Sequence, residues 1–169
     1  MLRPIVRFGD ARLQRPAMPV TTFDAALDRL IDDMVDTMYA APGIGLAATQ
    51  IGEPYRVCVI DLSVGRKGGE LLTLINPEFV DREGMQLEEE GCLSVPGFNA
   101  TVARPSRATV RALDRTGQTR TFEATGLLAR AFQHEIDHLD GLLFLDRLRG
   151  LKRDMIVRRI RKLQRAGTW

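Results

Sequence analysis

The chain has 169 residues, 44% of them apolar, and its 24 Lys and Arg against 22 Asp and Glu leave a formal net charge of +2. This length suits one domain over residues 1–169 with a single core, and the near-neutral balance makes no case for DNA binding. The lack of an apolar run of about 18 residues excludes a membrane-spanning helix, and two cysteines are too few for a disulfide framework, so we expect a soluble cytoplasmic protein.

An amphipathic helix is the first predicted element. After Thr21 and Thr22, apolar residues recur at helical spacing until Pro42 and Gly43 end the pattern, at Leu27, Leu30, Ile31, Met34, Val35 and Met38. Four β-branched or alternating segments then predict strands, at residues 55–62, 71–80, 108–114 and 119–125. Hairpin turns are expected at residues 66–69 and 115–117, and a long irregular loop at about residues 81–107.

The last two predicted elements are helices. The first runs from residue 126 to about residue 140, with Thr125 placed to cap it and Gly141 placed to stop it. A helical wheel turns its two histidines, Glu135 and Leu127 inward and places a polar group on the opposite side, at Arg130, Gln133, Asp137 and Asp140. The C-terminal helix has a predicted apolar stripe at Leu148, Leu151, Met155, Ile160 and Leu163. The fold class is therefore α+β, with short, mainly antiparallel strands packed around a central helix and amphipathic helices near both ends.

The central helix has the spacing of a metal site. His134 and His138 are the only histidines in the chain, they lie four residues apart, and Glu135 follows the first. Residues four apart share one helix face, so both imidazoles can reach one ion. Burying them on an apolar face would cost several kcal/mol unless they are paired or bind a cation.

A catalytic metal usually has three protein ligands and one open position, so a third donor is needed. Phe144 occupies the place where some zinc proteases have a third histidine, and no glutamate follows Glu135. Asp146 or Asp154 could serve in principle. We favour Cys92, because a thiol beside a glycine and three glutamates is an unusual choice for a simple apolar filler.

Three segments together resemble the signature motifs of the peptide deformylases: G-I-G-L-A-A-T-Q at residues 43–50, E-G-C-L-S at 90–94 and Q-H-E-I-D-H-L-D-G at 133–141. The resemblance covers nearly the whole chain. It implies a bacterial enzyme that removes the formyl group from the formylmethionine of nascent polypeptides and releases formate. It also implies one divalent ion, Fe(II) in the cell with Zn(II), Ni(II) or Co(II) as possible substitutes, held by Cys92, His134 and His138.

The resemblance also implies roles for other residues. Glu135 would act as general base and then general acid on a metal-activated water, and the Gln50 amide and the Leu93 N–H would stabilise the oxyanion. Substrate binding would involve Ile44, Gly45, Glu90, Gly91 and Leu127. We expect Arg104 to pair with Glu90 in support of the ligands. The chain departs from the family at Phe98-Asn99-Ala100, where many relatives have an arginine or tyrosine.

Two alternatives remain at this point. A metallopeptidase could use His134, His138 and Asp146 without Cys92. A structural-metal or ribosome-binding module would have no use for Glu135 or Gln50. The C-terminal residues 146–169 hold nine Lys or Arg against two Asp, which indicates either a solvated surface or a contact with ribosomal RNA near the exit tunnel.

Overall fold

The computed structural model describes all of residues 1–169 and has an α+β architecture, as the sequence predicts. Its three helices are α1 (Ala25–Ala40), α2 (Gly126–Leu139) and α3 (Leu151–Arg165). Its strands are β1 (Gly45–Ala47), β2 (Val57–Ile60), β3 (Leu72–Glu83), β4 (Gln86–Cys92), β5 (Val95–Arg104), β6 (Arg107–Leu113) and β7 (Thr119–Thr125). None of these helices has the length and apolar character needed to span a bilayer.

The strands form two separate antiparallel sheets. The larger sheet has the order β1-β2-β3-β6-β7, and β4 pairs only with β5. The predicted turns at residues 66–69 and 115–117 are confirmed, because they lie between the antiparallel pairs β2–β3 and β6–β7. Helices α1 and α2 pack on opposite faces of the larger sheet, and β2 is accordingly buried along its whole length.

Helix α1 confirms the first predicted element. It begins one residue after Asp24, whose side chain accepts a hydrogen bond from the Leu27 N–H and so caps the first turn. The positions predicted to face the core are buried at Leu27, Ile31, Met34 and Met38 and half-buried at Leu30 and Val35. The helix ends before Pro42, as expected.

The long irregular loop predicted at residues 81–107 is wrong. This stretch contains the end of β3, the whole β4–β5 hairpin and the first residue of β6. The hairpin lacks the usual alternation of apolar and polar residues because its buried face carries charged groups, at Glu90 and Arg104. A pattern based on hydrophobicity therefore did not recognise the two strands.

Helix α2 has the predicted extent, but its environment differs from the prediction. Thr125 makes no capping hydrogen bond with its side chain, whereas Gly141 adopts a φ of +80° just beyond the helix end, as predicted for a stop. Three of the four residues on the polar side, Arg130, Gln133 and Asp137, are buried because the β4–β5 hairpin covers them, whereas Asp140 is exposed. Leu127, predicted to face inward, is 54% exposed because it lies in the first turn of the helix.

The apolar stripe predicted for α3 is wrong in part. Ile160 is buried as expected, but Leu151 and Met155 are exposed, and the buried residues are instead Ile156 and Val157. Leu148 precedes the helix, which begins after Gly150. The buried face of the helix is narrower than the predicted stripe and is rotated from it by about one residue. It packs against a core cluster that the helix shares with β5 and the turn Phe144–Arg147.

Candidate metal centre

Helix α2 brings its two histidines together as their spacing predicts. The Nε2 atoms of His134 and His138 lie 3.2 Å apart, and the ring centroids are 4.9 Å apart in an edge-to-face arrangement. His138 is buried, and the Nδ1 atom of its ring has no hydrogen-bond partner. Burial lowers the pKa of His138 well below its ordinary value, so this imidazole stays neutral, which is the form that binds metals.

Cys92 supplies the third donor at this point. Its Sγ lies 3.3 Å from the Nε2 of His138, and one ligand atom from each of Cys92, His134 and His138 falls within 4.8 Å of the others. An irregularity in the β4–β5 pairing between Gly91 and Cys92 turns the thiol out of the hairpin. One thiolate and two imidazoles form a donor set that suits a borderline divalent ion with one open position.

The two aspartates that could have replaced Cys92 do not join this cluster. The Asp146 carboxylate instead accepts a hydrogen bond of 2.8 Å from the Leu143 N–H, where it caps a short helical turn. Asp154 lies in the first turn of α3 and is exposed. The metallopeptidase alternative therefore lacks its third ligand.

Glu90 fixes the orientation of the first histidine. Its Oε2 lies 2.7 Å from the Nδ1 of His134, so Nδ1 carries a proton for this bond and Nε2 points toward the cluster. Burial acts to lower the pKa of His134, but bonds to Cys92 and Glu90 outweigh it and raise the pKa well above its ordinary value. An ion bound at Nε2 would displace the proton held there.

A buried network of charges surrounds Glu90. Arg104 donates two bonds of 2.7 Å to its carboxylate, as the sequence predicts, and Arg130 donates a third of 2.7 Å. Burial would raise the pKa of Glu90, but the bonds from Arg104 and His134 hold the pKa well below its ordinary range. Arg104 also donates to Asp137, which in turn accepts two bonds from Arg147. Glu90 is therefore ionised and held rigidly against His134.

Glu135 is a buried carboxylate with no hydrogen bond in the protein. It is 4% exposed, and its Oε2 is both buried and without a partner. Burial raises the pKa of Glu135 to about 7. A Cβ atom at Gly45 would collide with this carboxylate, so the glycine makes room for it. A group that can exchange protons near neutral pH thus lies beside the ligand cluster.

The Gln50 amide is oriented by its neighbours. Its Oε1 accepts a hydrogen bond of 2.9 Å from the Ala47 N–H, so its Nε2 must point the other way. That nitrogen lies 3.1 Å from the Ser94 hydroxyl and 3.7 Å from the Cys92 Sγ. The amide donors therefore face the ligand cluster, beside the backbone of Leu93.

These groups open into one cavity of about 820 Å³. Cys92, His134, Glu135, Gln50 and Leu93 contribute to its wall, whereas His138 lies behind it. The predicted substrate-binding residues all line the same cavity, at Ile44, Gly45, Glu90, Gly91 and Leu127. The exposed side of Leu127 is thus a rim of this cavity.

The sequence analysis missed several residues of the site. The sequence places Arg130 and Asp137 on the polar side of the helix, opposite the histidines, and gives them no role. Only their charges, opposite in sign to those of Glu90 and Arg104, could have indicated that they are buried. Ser94 lies within the E-G-C-L-S segment but was given no role of its own, and the N-terminal residues Ile5 and Arg7, which line the cavity, carried no signal in the sequence.

Comparisons with known proteins identify the family of the chain. Residues 2–154 match the family model for polypeptide deformylase. A peptide deformylase of Acidobacterium capsulatum is 55% identical over 169 residues, which are 100% of this chain and 99% of that one. The crystal structure of a peptide deformylase from Legionella pneumophila superimposes with a TM-score of 0.92 at 48% identity, covering 99% of this chain and 98% of that one. A peptide deformylase from Synechococcus elongatus, solved in complex with actinonin, gives a TM-score of 0.88 at 40% identity over 92% of this chain and 86% of that one. The chain belongs to the polypeptide deformylase family.

Proposed function

We propose that residues 1–169 act as one catalytic domain that removes the formyl group from the formylmethionine of nascent polypeptides and releases formate. The observation that carries this proposal is the unpartnered Glu135 carboxylate, which lies beside the cluster of Cys92, His134 and His138 on the wall of one cavity. Membership of the deformylase family supports the choice of reaction.

Cys92, His134 and His138 would hold one divalent ion, and the Nε2 atom of His138, which lies 3.3 Å from the Cys92 Sγ and 3.2 Å from the Nε2 of His134, fits that use, as does the orientation of His134 by Glu90. We propose Fe(II) in the cell, with Zn(II), Ni(II) or Co(II) able to use the same donors. Such an ion would supply Lewis-acid activation of a water molecule and of the formyl oxygen.

The role proposed for Glu135 is proton transfer. Its carboxylate would accept a proton from the attacking water and then donate it to the nitrogen of the departing amine, because an amine leaves poorly without that proton. A pKa raised to about 7 by burial suits both steps. The C–N bond breaks as the proton arrives, and the products are formate and a free N-terminal methionine.

Gln50 and the Leu93 N–H are proposed to stabilise the negative charge that develops on the formyl oxygen. The Gln50 amide is already oriented by Ala47, so little reorganisation is needed when this charge appears. Loss of one such donor typically costs about 3 kcal/mol in transition-state stabilisation.

The remaining wall of the cavity is proposed to bind the peptide. Backbone groups of Ile44, Gly45 and Gly91 would pair with an extended substrate, and the side chains of Ile44 and Leu127 would contact its methionine. Glu90 lines the cavity too, but both of its oxygens accept bonds from the protein, so we assign it to the support of His134.

One assay tests the reaction. Formate release from a formyl-Met peptide is measured beside cleavage of the unformylated peptide, for the wild type and Glu135→Gln loaded with metal. We expect Glu135→Gln to keep its metal and lose at least about 100-fold in kcat, the lower end of the range for a general base. Glu88→Gln, an exposed change in the same hairpin as Cys92, is the matched control. Cleavage of the unformylated peptide without formate release would refute the proposal.

We further propose that ribosomal RNA contacts the exposed basic side of α3. The cationic side chains on this side are exposed, at Lys152, Arg158, Arg159, Arg161, Lys162 and Arg165. Phosphate contacts release counterions, so co-sedimentation with ribosomes should weaken steeply as salt rises. Absence of binding, or binding that salt does not affect, would remove this part of the proposal.

A further inference from the structure

A short N-terminal segment joins the two halves of the site. Residues 5–8, which we term the strap, run between the turn that carries Gln50 and the turn after β4. The Val6 N–H donates a bond of 2.8 Å to the Gln50 carbonyl, and the Phe8 N–H donates one of 2.8 Å to the Ser94 carbonyl. Alternate residues of an extended chain point the same way, so one strap can hold both turns.

The β4–β5 hairpin is poorly connected to the rest of the chain by backbone hydrogen bonds. It forms a sheet of its own, and the bond from Phe8 to Ser94 is the one backbone hydrogen bond that joins residues 86–104 to another segment. Gln50 and Leu93, the two proposed oxyanion donors, stand on opposite sides of this junction. The strap is therefore the backbone connection between the two donors, and it acts beside the direct contact of the Gln50 Nε2 with the Ser94 hydroxyl at 3.1 Å.

The C-terminal end of the chain fastens the strap. The Trp169 indole N–H donates a bond of 2.9 Å to the Phe8 carbonyl, and the Arg7 guanidinium lies 5.8 Å from the centre of the Trp169 ring. The same ring packs against Phe98 of β5 at a centroid distance of 6.1 Å. Trp169 thus contacts the strap and the hairpin at once.

We propose that the strap, held by Trp169, is a positioning element that sets the Gln50 amide and the Leu93 N–H at the spacing the oxyanion requires. This inference rests on the function proposed above. It assigns to Val6, Phe8 and Trp169 a part in catalysis, although none of them touches the substrate or the ion. An oxyanion forms only in the transition state, so loosening the strap lowers kcat and leaves KM unchanged.

The test uses the full, metal-loaded chain and four variants. Val6→Pro removes the N–H that donates to the Gln50 carbonyl. Trp169→Ala removes the whole indole, and Trp169→Phe removes the indole N–H but keeps an aromatic ring. Thr168→Ala is the control, because the Thr168 hydroxyl bonds only within the end of α3, to the Leu163 carbonyl. Kinetics on a formyl-Met peptide, metal content and amide hydrogen exchange of Phe8 are measured for each.

We expect kcat to fall about tenfold in Val6→Pro and about threefold in Trp169→Ala, with KM and metal content unchanged, because a donor displaced by a fraction of an ångström loses part of its effect. Phe8 should exchange faster in Trp169→Ala, and Trp169→Phe should fall between Trp169→Ala and the wild type in both measurements. Thr168→Ala should match the wild type.

Three results would overturn the inference. Faster exchange of Phe8 with wild-type kcat would show that the strap does not position the donors. A rise in KM with wild-type kcat would limit the strap to shaping the cavity wall, which Ile5 and Arg7 line, and a loss of metal together with kcat would make it a support of the fold. The Trp169→Ala variant still tests the inference if Val6→Pro fails to fold. A wild-type chain that releases no formate refutes the proposed function itself, and this inference with it.

Discussion

Replacing Glu90 by glutamine tests the network that orients the metal ligands. The Glu90 carboxylate accepts four hydrogen bonds: two from Arg104, one from Arg130 and one from His134. A glutamine has nearly the same shape but only one accepting oxygen, and its NH₂ group can only donate. Whichever way the amide turns, at least one of the buried donors faces another donor.

The consequence for the metal follows from the protonation of one ring. If the amide NH₂ faces His134, the Nδ1 of that ring must accept, and the ring proton moves to Nε2, the atom that should bind the ion. If the amide oxygen faces His134, the NH₂ faces the guanidinium of Arg104. The first arrangement blocks a ligand atom, and the second leaves one N–H of Arg104 and one of Arg130 facing an NH₂ group, with no carboxylate left for Arg130.

Both arrangements have measurable costs. Breaking a buried ion pair by removing one charge destabilises a fold by about 3–5 kcal/mol, and Glu90 and Arg104 are both almost fully buried. Loss of the partner that orients a metal-binding histidine typically lowers metal affinity by about 10–100-fold. We therefore expect Glu90→Gln to lose about 3–5 kcal/mol of unfolding free energy and at least tenfold in affinity for Zn(II).

Two measurements separate the effects. Urea unfolding of the metal-free chain gives the cost to the fold, and competition with a chelator gives the affinity for Zn(II). The stabilisation gained on adding Zn(II) should also shrink, because it grows with the logarithm of metal concentration over Kd. Glu88→Gln, exposed on the same strand, should change neither quantity. A Glu90→Gln chain that binds Zn(II) as tightly as the wild type would refute the argument that Glu90 orients His134.

Two further predictions concern pH and the room around Glu135. The pKa of Glu90 is lowered in the folded chain, so its ionised form stabilises the fold above the ordinary carboxyl range and this stability is lost as the pH falls below about 4. Urea titrations should give a shallower acid loss for Glu90→Gln, and equal slopes would contradict the prediction. Gly45→Ala should lower kcat about 10–100-fold with metal retained, because its Cβ displaces the Glu135 carboxylate. Gly68→Ala, in open space, is the matched control, and a Gly45→Ala chain with wild-type kcat would show that the carboxylate tolerates the methyl group.

The parts of the site that the sequence predicts are those set by local geometry. His134, Glu135 and His138 share one helix, and helical spacing alone places the two rings together. The need for a third metal ligand then favoured Cys92, although nothing local relates residues so far apart in the chain. The structure brings this thiol to the histidines through the irregular pairing at the end of β4.

The parts that the sequence does not predict depend on which surfaces meet. Patterns of apolar residues locate α1 and four of the five strands of the larger sheet because those elements bury apolar side chains, whereas the short strand β1 was not predicted. The β4–β5 hairpin meets α2 through charged groups instead, so the same patterns indicated a loop for residues 81–107 and gave the polar side of the helix no partner. The strap could not be predicted from the sequence for a different reason: its hydrogen bonds use backbone groups that nearly every residue carries.

The charged contact between the hairpin and α2 also explains why a polar helix face is buried here at all. Arg104 and Arg130 bring two positive charges to Glu90, and Arg104 and Arg147 bring two to Asp137. An apolar contact of the same volume could stabilise the fold equally well, but it could not hold a carboxylate against the Nδ1 of His134. The free energy spent on burying these charges therefore serves to orient a metal ligand. A variant in which apolar side chains replace the whole network should fold stably but bind metal more weakly.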